Sequence, residues 1–196
     1  MGLRFWIVLF MMAVMPASGH CLSTDFGSSI YDPGTLKPRD SVLKVKVGET
    51  AMDFTLPALS GQRVALARFR GRKNVVLSFI PAAWTPVCSD QWPGYNIAKP
   101  LFDRHDAVLL GISVDNLASL HAWTRAMGDL WFDVLSDFWP HGRVADAFGI
   151  LRSDGTAERA IIIIDKKGVI RFIHVSDINR RPDLGMIIKA LESLTP

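Results

Sequence analysis

The chain alternates short runs of β-branched and apolar residues with stretches whose apolar positions recur every three or four residues, and that alternation lays out the fold. Lys73-Asn-Val-Val-Leu-Ser-Phe-Ile80 lies between a charged turn and Pro81, which predicts a buried parallel strand. Ala107-Val-Leu-Leu-Gly-Ile-Ser-Val114 predicts the next buried strand. Between them the chain turns and becomes helical. Pro93-Gly94 is expected to interrupt that helix just past its first turn, and Pro100 to follow in a kinked helix through Asp103. Leu117, Leu120, Trp123 and Met127 mark an amphipathic helix closed by Gly128, a stripe that reads as core packing rather than a ligand site. Trp131-Phe-Asp-Val-Leu-Ser-Asp137 predicts a short strand, and residues 141–148 a short helix.

Two strands follow, Arg159-Ala-Ile-Ile-Ile-Ile164 and Val169-Ile-Arg-Phe-Ile-His-Val175. Asp165-Lys-Lys-Gly168 joins them as a type I turn closed by glycine, so they should form an antiparallel hairpin. Residues 182–194 predict a last helix, with Pro182 at its start and Leu184, Ile187, Ile188, Leu191 and Leu194 on one face. Strand, helix, strand, helix, then hairpin and helix argues for an α/β fold, a mixed sheet with helices on both faces.

The N-terminal part has a different pattern. Residues 1–19 carry one charge, Arg4, then eleven apolar residues from Phe5 to Met15, then Pro16-Ala-Ser-Gly19. A basic start, an apolar centre and a small-residue exit are the three parts of a secretory signal, and the apolar run is short for a membrane span of about 20 residues. Cleavage after Gly19 is the expectation, which places the mature protein in the periplasm or outside the cell; an uncleaved leader would tether it to a membrane instead. Ser18-Gly-His-Cys21 is a poor lipoprotein box because His20 precedes the cysteine.

Residues 20–42 mix Ser, Gly, Asp and Pro without periodicity and read as an extended or disordered lead-in to a single domain over 43–196. Removing the leader leaves about 177 residues, enough for one full core.

Composition narrows the function classes. With 22 basic and 19 acidic residues the formal net charge is +3, and loss of Arg4 lowers it to +2. The chain carries no basic cluster interleaved with aromatics, so nucleic acid is not an expected partner. The five histidines, at 20, 105, 121, 141 and 174, fall at no metal-site spacing, and neither a metal nor a cofactor is expected. No internal repeat, glycine-rich phosphate loop or G-x-S-x-G elbow is present.

The chemistry concentrates at Cys88. It sits where the 73–80 strand gives way to a helix, so it should occupy the first helical turn, where unpaired N–H groups and the macrodipole favour an anion such as a thiolate. A small buried hydrophobe is the other reading of a lone cysteine. The second cysteine, Cys21, lies in the lead-in; it could be exposed, paired, or lost on cleavage.

Pro81, Thr85 and Cys88 spell P-x-x-x-T-x-x-C, which resembles the active-site signature of the peroxiredoxins, thiol peroxidases of the thioredoxin-fold superfamily. The resemblance runs from about Val47, whose segment through Pro57 looks like the family's opening strand and hairpin with a turn at Ser60-Gly61, to Leu194. It implies a thioredoxin-like three-layer fold. It also implies that a Cys88 thiolate attacks a hydroperoxide and becomes sulfenic acid, that the Thr85 hydroxyl can hydrogen-bond sulfur and peroxide, and that Pro81 shields the site from water. Arg159 matches the arginine that the family places beside the reactive sulfur. The reductant would be an external thiol or a thioredoxin-like protein, and a homodimer is a further expectation.

Three departures from the family stand out: Gln91 where many members carry Glu, Pro93-Gly94 within the active helix, and Met52 where proline is frequent. No cysteine follows Cys88 by five residues or lies near the C-terminus, so a one-cysteine mechanism is expected, with Cys21 dispensable or, as the competing idea, the resolving thiol. Trp84-Thr-Pro-Val-Cys88 also resembles a thioredoxin box whose first cysteine is threonine. A thiol-disulfide exchanger and a non-catalytic redox-sensing or binding module are therefore the alternatives to a peroxidase.

Overall fold

The computed structural model describes residues 26–194; the leader, its cleavage point and Cys21 lie outside the described residues. The centre is a five-stranded sheet in the order β5-β4-β3-β6-β7, with β3 Asn74–Phe79, β4 Ala107–Ser113, β5 Asp133–Ser136, β6 Ala160–Ile164 and β7 Ile170–Val175. Strands β3, β4 and β5 are mutually parallel, while β6 runs antiparallel to β3 and β7 antiparallel to β6. The predicted mixed α/β sheet is therefore present. A separate two-stranded hairpin, β1 Thr55–Pro57 and β2 Arg63–Ala65, sits before it, turning at Gly61 as expected.

All six residues of β3 are buried, and their alternation divides the core. Val75, Leu77 and Phe79 enter a cluster with the β1-β2 hairpin and α4 Arg143–Phe148. Val76 faces the other cluster, built by α1 Pro86–Asn96, α2 Lys99–Arg104, α3 Leu117–Met127 and α5 Leu184–Glu192. A strand buried on both sides carries no polar face for water, which is why its sequence reads as one apolar run.

Helix α1 corrects the expectation of a break at Pro93-Gly94, because it continues through both to Asn96. Cys88, Gln91, Trp92 and Tyr95 are all buried at three- and four-residue spacing on one face, and that packing holds together the turns on either side of the proline. The interruption falls at 97–98, before α2, where Pro100 occupies a tolerated first-turn position. Pro182 likewise lies outside its helix: Asp183 is the N-cap of α5, its carboxylate accepting from the N–H groups of Gly185 and Met186.

The lead-in is extended rather than disordered over its described part. Residues 30–46 run along the molecule as a strap, with Leu36, Arg39 and Asp40 bonded to groups 118 to 143 residues away. Its end crosses Gly149 so closely that a Cβ there would lie 2.3 Å from Lys44 N and Val42 O; Gly149 also has φ 72°. A buried ion pair, Arg152 to Glu158 at 2.7 Å, grips its middle: Glu158 accepts from Asp40 N–H and Arg152 donates to the Lys37 carbonyl.

On the other side of the sheet, Gly111 in β4 lets α1 approach, since a Cβ would come within 2.8 Å of the Trp92 ring and 3.0 Å of Phe132. Rigid aromatic rings cannot yield at that distance. Gly111→Ala should therefore destabilise the protein by about 1–3 kcal/mol, measured from the midpoint of urea unfolding; an unchanged midpoint would contradict this packing.

Candidate active site

Strand β3 ends at Phe79, and the chain turns through residues 80–85 into α1. The turn is tightly specified. Ala83 N–H donates to Asp115 at 2.7 Å, and Trp84 holds φ 61°, a left-handed conformation that a bulky residue adopts only when its surroundings impose it. Thr85 is the N-cap in extended conformation and Pro86 opens the helix, placing Cys88 in the first turn as the sequence predicts.

Arg159 arrives from the other side of the chain. It immediately precedes β6, and antiparallel pairing sets Ala160 opposite Phe79, so the start of β6 meets the end of β3. With β6 parallel instead, Arg159 would fall at the far end of a strand about 20 Å long. Both Nη atoms of Arg159 donate to Cys88 Sγ at 3.5 Å, across 71 residues of sequence.

The side chain of Arg159 is almost fully buried, and among the described residues its other acceptors are the Ile178 carbonyl, 3.1 Å from Nε, and Gln91 Oε1, 2.6 Å from Nη1. None is a carboxylate. The guanidinium thus donates only to neutral oxygens and to the sulfur, with the Asp177 carboxylate in electrostatic range but not bonded to it.

Gln91 is the residue whose role the sequence does not announce. Because a guanidinium only donates, Oε1 faces Arg159 and Nε2 faces away, donating to Ser78 Oγ at 3.1 Å and Tyr95 Oη at 3.2 Å. Trp92 Nε1 also donates to Ser78 Oγ, at 3.3 Å. Burial pushes the Tyr95 phenol up, against the opposing bonds from Gln91 and Ser78, so the network stays neutral around the cation. The signals were present: Gln91 lies three residues after Cys88 on one helical face, and Ser78 is a polar residue within an apolar strand.

Pro81 is buried and Thr85 half-buried, and both line a cavity of about 550 Å³ that also reaches Arg159. Cys88 lies fully buried below it. The Thr85 hydroxyl donates to the Ala82 carbonyl at 2.9 Å, which leaves its lone pairs to accept from an incoming molecule. The structure thus brings the four sequence-predicted residues, Pro81, Thr85, Cys88 and Arg159, to one place. A larger depression of about 640 Å³ lies at the opposite end of β3, around Asn74, and its carboxylates are already paired, Asp106 with Lys73 and Lys166 and Asp165 with Arg171.

Gln91→Leu keeps the volume but strips Arg159 of an acceptor and Ser78 of a donor in a dry site. We expect a loss of about 1–3 kcal/mol in stability, read by denaturant titration; a change within error would show that the amide is not structural to the site.

Comparison with known proteins gives a consistent picture. The family model described as AhpC/TSA family matches residues 47–173. Alkyl hydroperoxide reductase E of Mycobacterium tuberculosis strain H37Rv is 37% identical over 152 residues, covering 77% of this chain and 99% of that protein. Thiol peroxidase of Streptococcus sanguinis is 33% identical over 152 residues, covering 77% of this chain and 91% of that one. Among solved structures, reduced 2-Cys peroxiredoxin of Plasmodium vivax superposes with a TM-score of 0.71 at 25% identity, covering 76% of this chain and 81% of that chain.

Proposed function

The chain belongs to the AhpC/TSA family, and from that premise we propose that it is a thiol peroxidase in which Cys88 reduces hydrogen peroxide or organic hydroperoxides. The observation that carries this reading is the pair of Arg159 N–H donors on Cys88 Sγ beneath a cavity. The thiolate attacks the terminal oxygen of the hydroperoxide, an S–O bond forms as the O–O bond breaks, and the sulfur loses two electrons. The departing alkoxide or hydroxide takes a proton and leaves as alcohol or water, and Cys88 becomes sulfenic acid. Arg159, already aimed at the sulfur, stabilises charge moving onto the two oxygens, while Thr85 Oγ1 accepts from the hydroperoxide O–H and Pro81 keeps water out.

Return to the thiol needs two reducing equivalents: one thiol condenses with the sulfenic acid, releasing water, and a second displaces Cys88 from the mixed disulfide. No cysteine follows Cys88 in the sequence, which supports an external thiol or a thioredoxin-type protein as reductant, with Cys21 the one internal alternative. Disulfide exchange by closing an internal bond would require a thiol at position 85, where threonine stands, so that role would also need an outside thiol. Pairing into a homodimer belongs to the same proposal; exposed Met52 and Trp139, which flank one depression, offer apolar surface for it.

Cys88→Ser should abolish peroxide consumption with the circular dichroism spectrum retained, and in the same assay Arg159→Met should slow it about 10²–10³-fold. Turnover by a folded serine variant would remove Cys88 from the reaction, and an unchanged Arg159→Met rate would remove the guanidinium.

The leader-like pattern of residues 1–19 supports export to the periplasm or beyond. Cell fractionation with N-terminal sequencing should find a chain beginning at or near His20; a cytoplasmic protein still starting at Met1 would reject that location.

A further inference from the structure

The cavity above Cys88 has two walls of different origin. One is the turn that carries Pro81 and Thr85, with Arg159 at its floor. The other is strap residues 31–36, which precede the 47–173 segment shared with the family. This second wall is fixed, not loosely laid. Tyr31 N–H donates to the Trp84 carbonyl at 2.8 Å, tying the strap to the strained residue before the N-cap. Asn179 holds both backbone groups of Leu36, its Oδ1 accepting from Leu36 N–H and its Nδ2 donating to the Leu36 carbonyl, each at 2.9 Å. Asp177 orients that amide by accepting from both the backbone N–H and Nδ2 of Asn179.

Size and chemistry of the enclosed space argue for its occupant. A molecule close to water in size needs about 30 Å³, and the cavity offers about 550 Å³. By area its lining is mostly apolar, with Tyr31, Pro33 and Leu36 on the strap joined by Val87 and Ile178, while Asp32, Thr35, Asp154, Thr156 and Asn179 add polar groups. The apolar share of the wall favours a hydroperoxide that carries a bulky hydrocarbon group, since hydrogen peroxide has no apolar surface to bury there.

Resting on the peroxidase reading above, we propose that strap residues 31–36 are the substrate-selecting wall of the site, with Tyr31 and Leu36 packing against the hydrocarbon group of an uncharged organic hydroperoxide. The hydroperoxy end then reaches Arg159 and Cys88. Asn179 is a positioning residue, acting on the substrate only through the strap.

The test is the ratio of kcat/KM for cumene hydroperoxide to that for hydrogen peroxide, in the full chain and in Tyr31→Ala, Leu36→Ala and Asn179→Ala. Loss of an apolar contact should lower that ratio about tenfold in each, and thermal melts should show the variants folded. Tyr31 is 70% exposed, so its replacement reports on selection even where the other two lower stability. A ratio unmoved within error in the folded variants, including one where both peroxides slow equally, overturns the strap's role and leaves the peroxidase reading standing. Failure of the wild-type protein to turn over either peroxide overturns the peroxidase reading, and the strap's role with it.

Discussion

A buried guanidinium whose hydrogen bonds reach no carboxylate among the described residues is the constraint on which the site depends. Arg159 draws its three acceptors from two distant parts of the chain: a carbonyl after β7, and an amide and a sulfur one turn apart on α1. Neutral partners satisfy its hydrogen-bonding capacity without discharging it. The cation is therefore held in a buried place with both terminal nitrogens on the sulfur. That arrangement prepares the electrostatics of the reaction in the ground state, before any substrate enters.

Much of this was legible in the sequence because the residues obey local rules. The β3 and β4 runs, the α3 stripe, the Asp165–Gly168 turn and the α5 face each announce themselves through period and punctuation. Pro81, Thr85 and Cys88 lie within eight positions of one another and so form a readable motif, whereas Arg159 was reachable only through resemblance, because nothing local marks a strand-end arginine as buried. The misread helix shows the limit of such rules. A proline inside α1 costs a hydrogen bond, but a four-residue buried face outweighs it, and the sequence shows the proline more loudly than the packing.

The lead-in was opaque for a related reason. Its clamps are backbone groups met by side chains far along the chain, Asn179, Glu158 and Arg152, so no apolar period records them. Ordering such a segment costs about 1–2 kcal/mol per residue, and here the opposing gain comes from polar groups satisfied in partly buried positions. Gln91 stands out in the sequence only as a departure from the family, and Ser78 not at all: each is an ordinary polar residue whose meaning appears only when the helix is laid on the strand.

The antiparallel pairing of β6 with β3 also ties chemistry to the order in which the protein is made. Cys88 is synthesised 71 residues before Arg159, and until β6 has docked along β3 that sulfur has no cation beside it. A chain still emerging therefore holds the two halves of this contact apart. That contact exists only once the long-range pairing has closed, so folding assembles the pair and neither segment carries it alone.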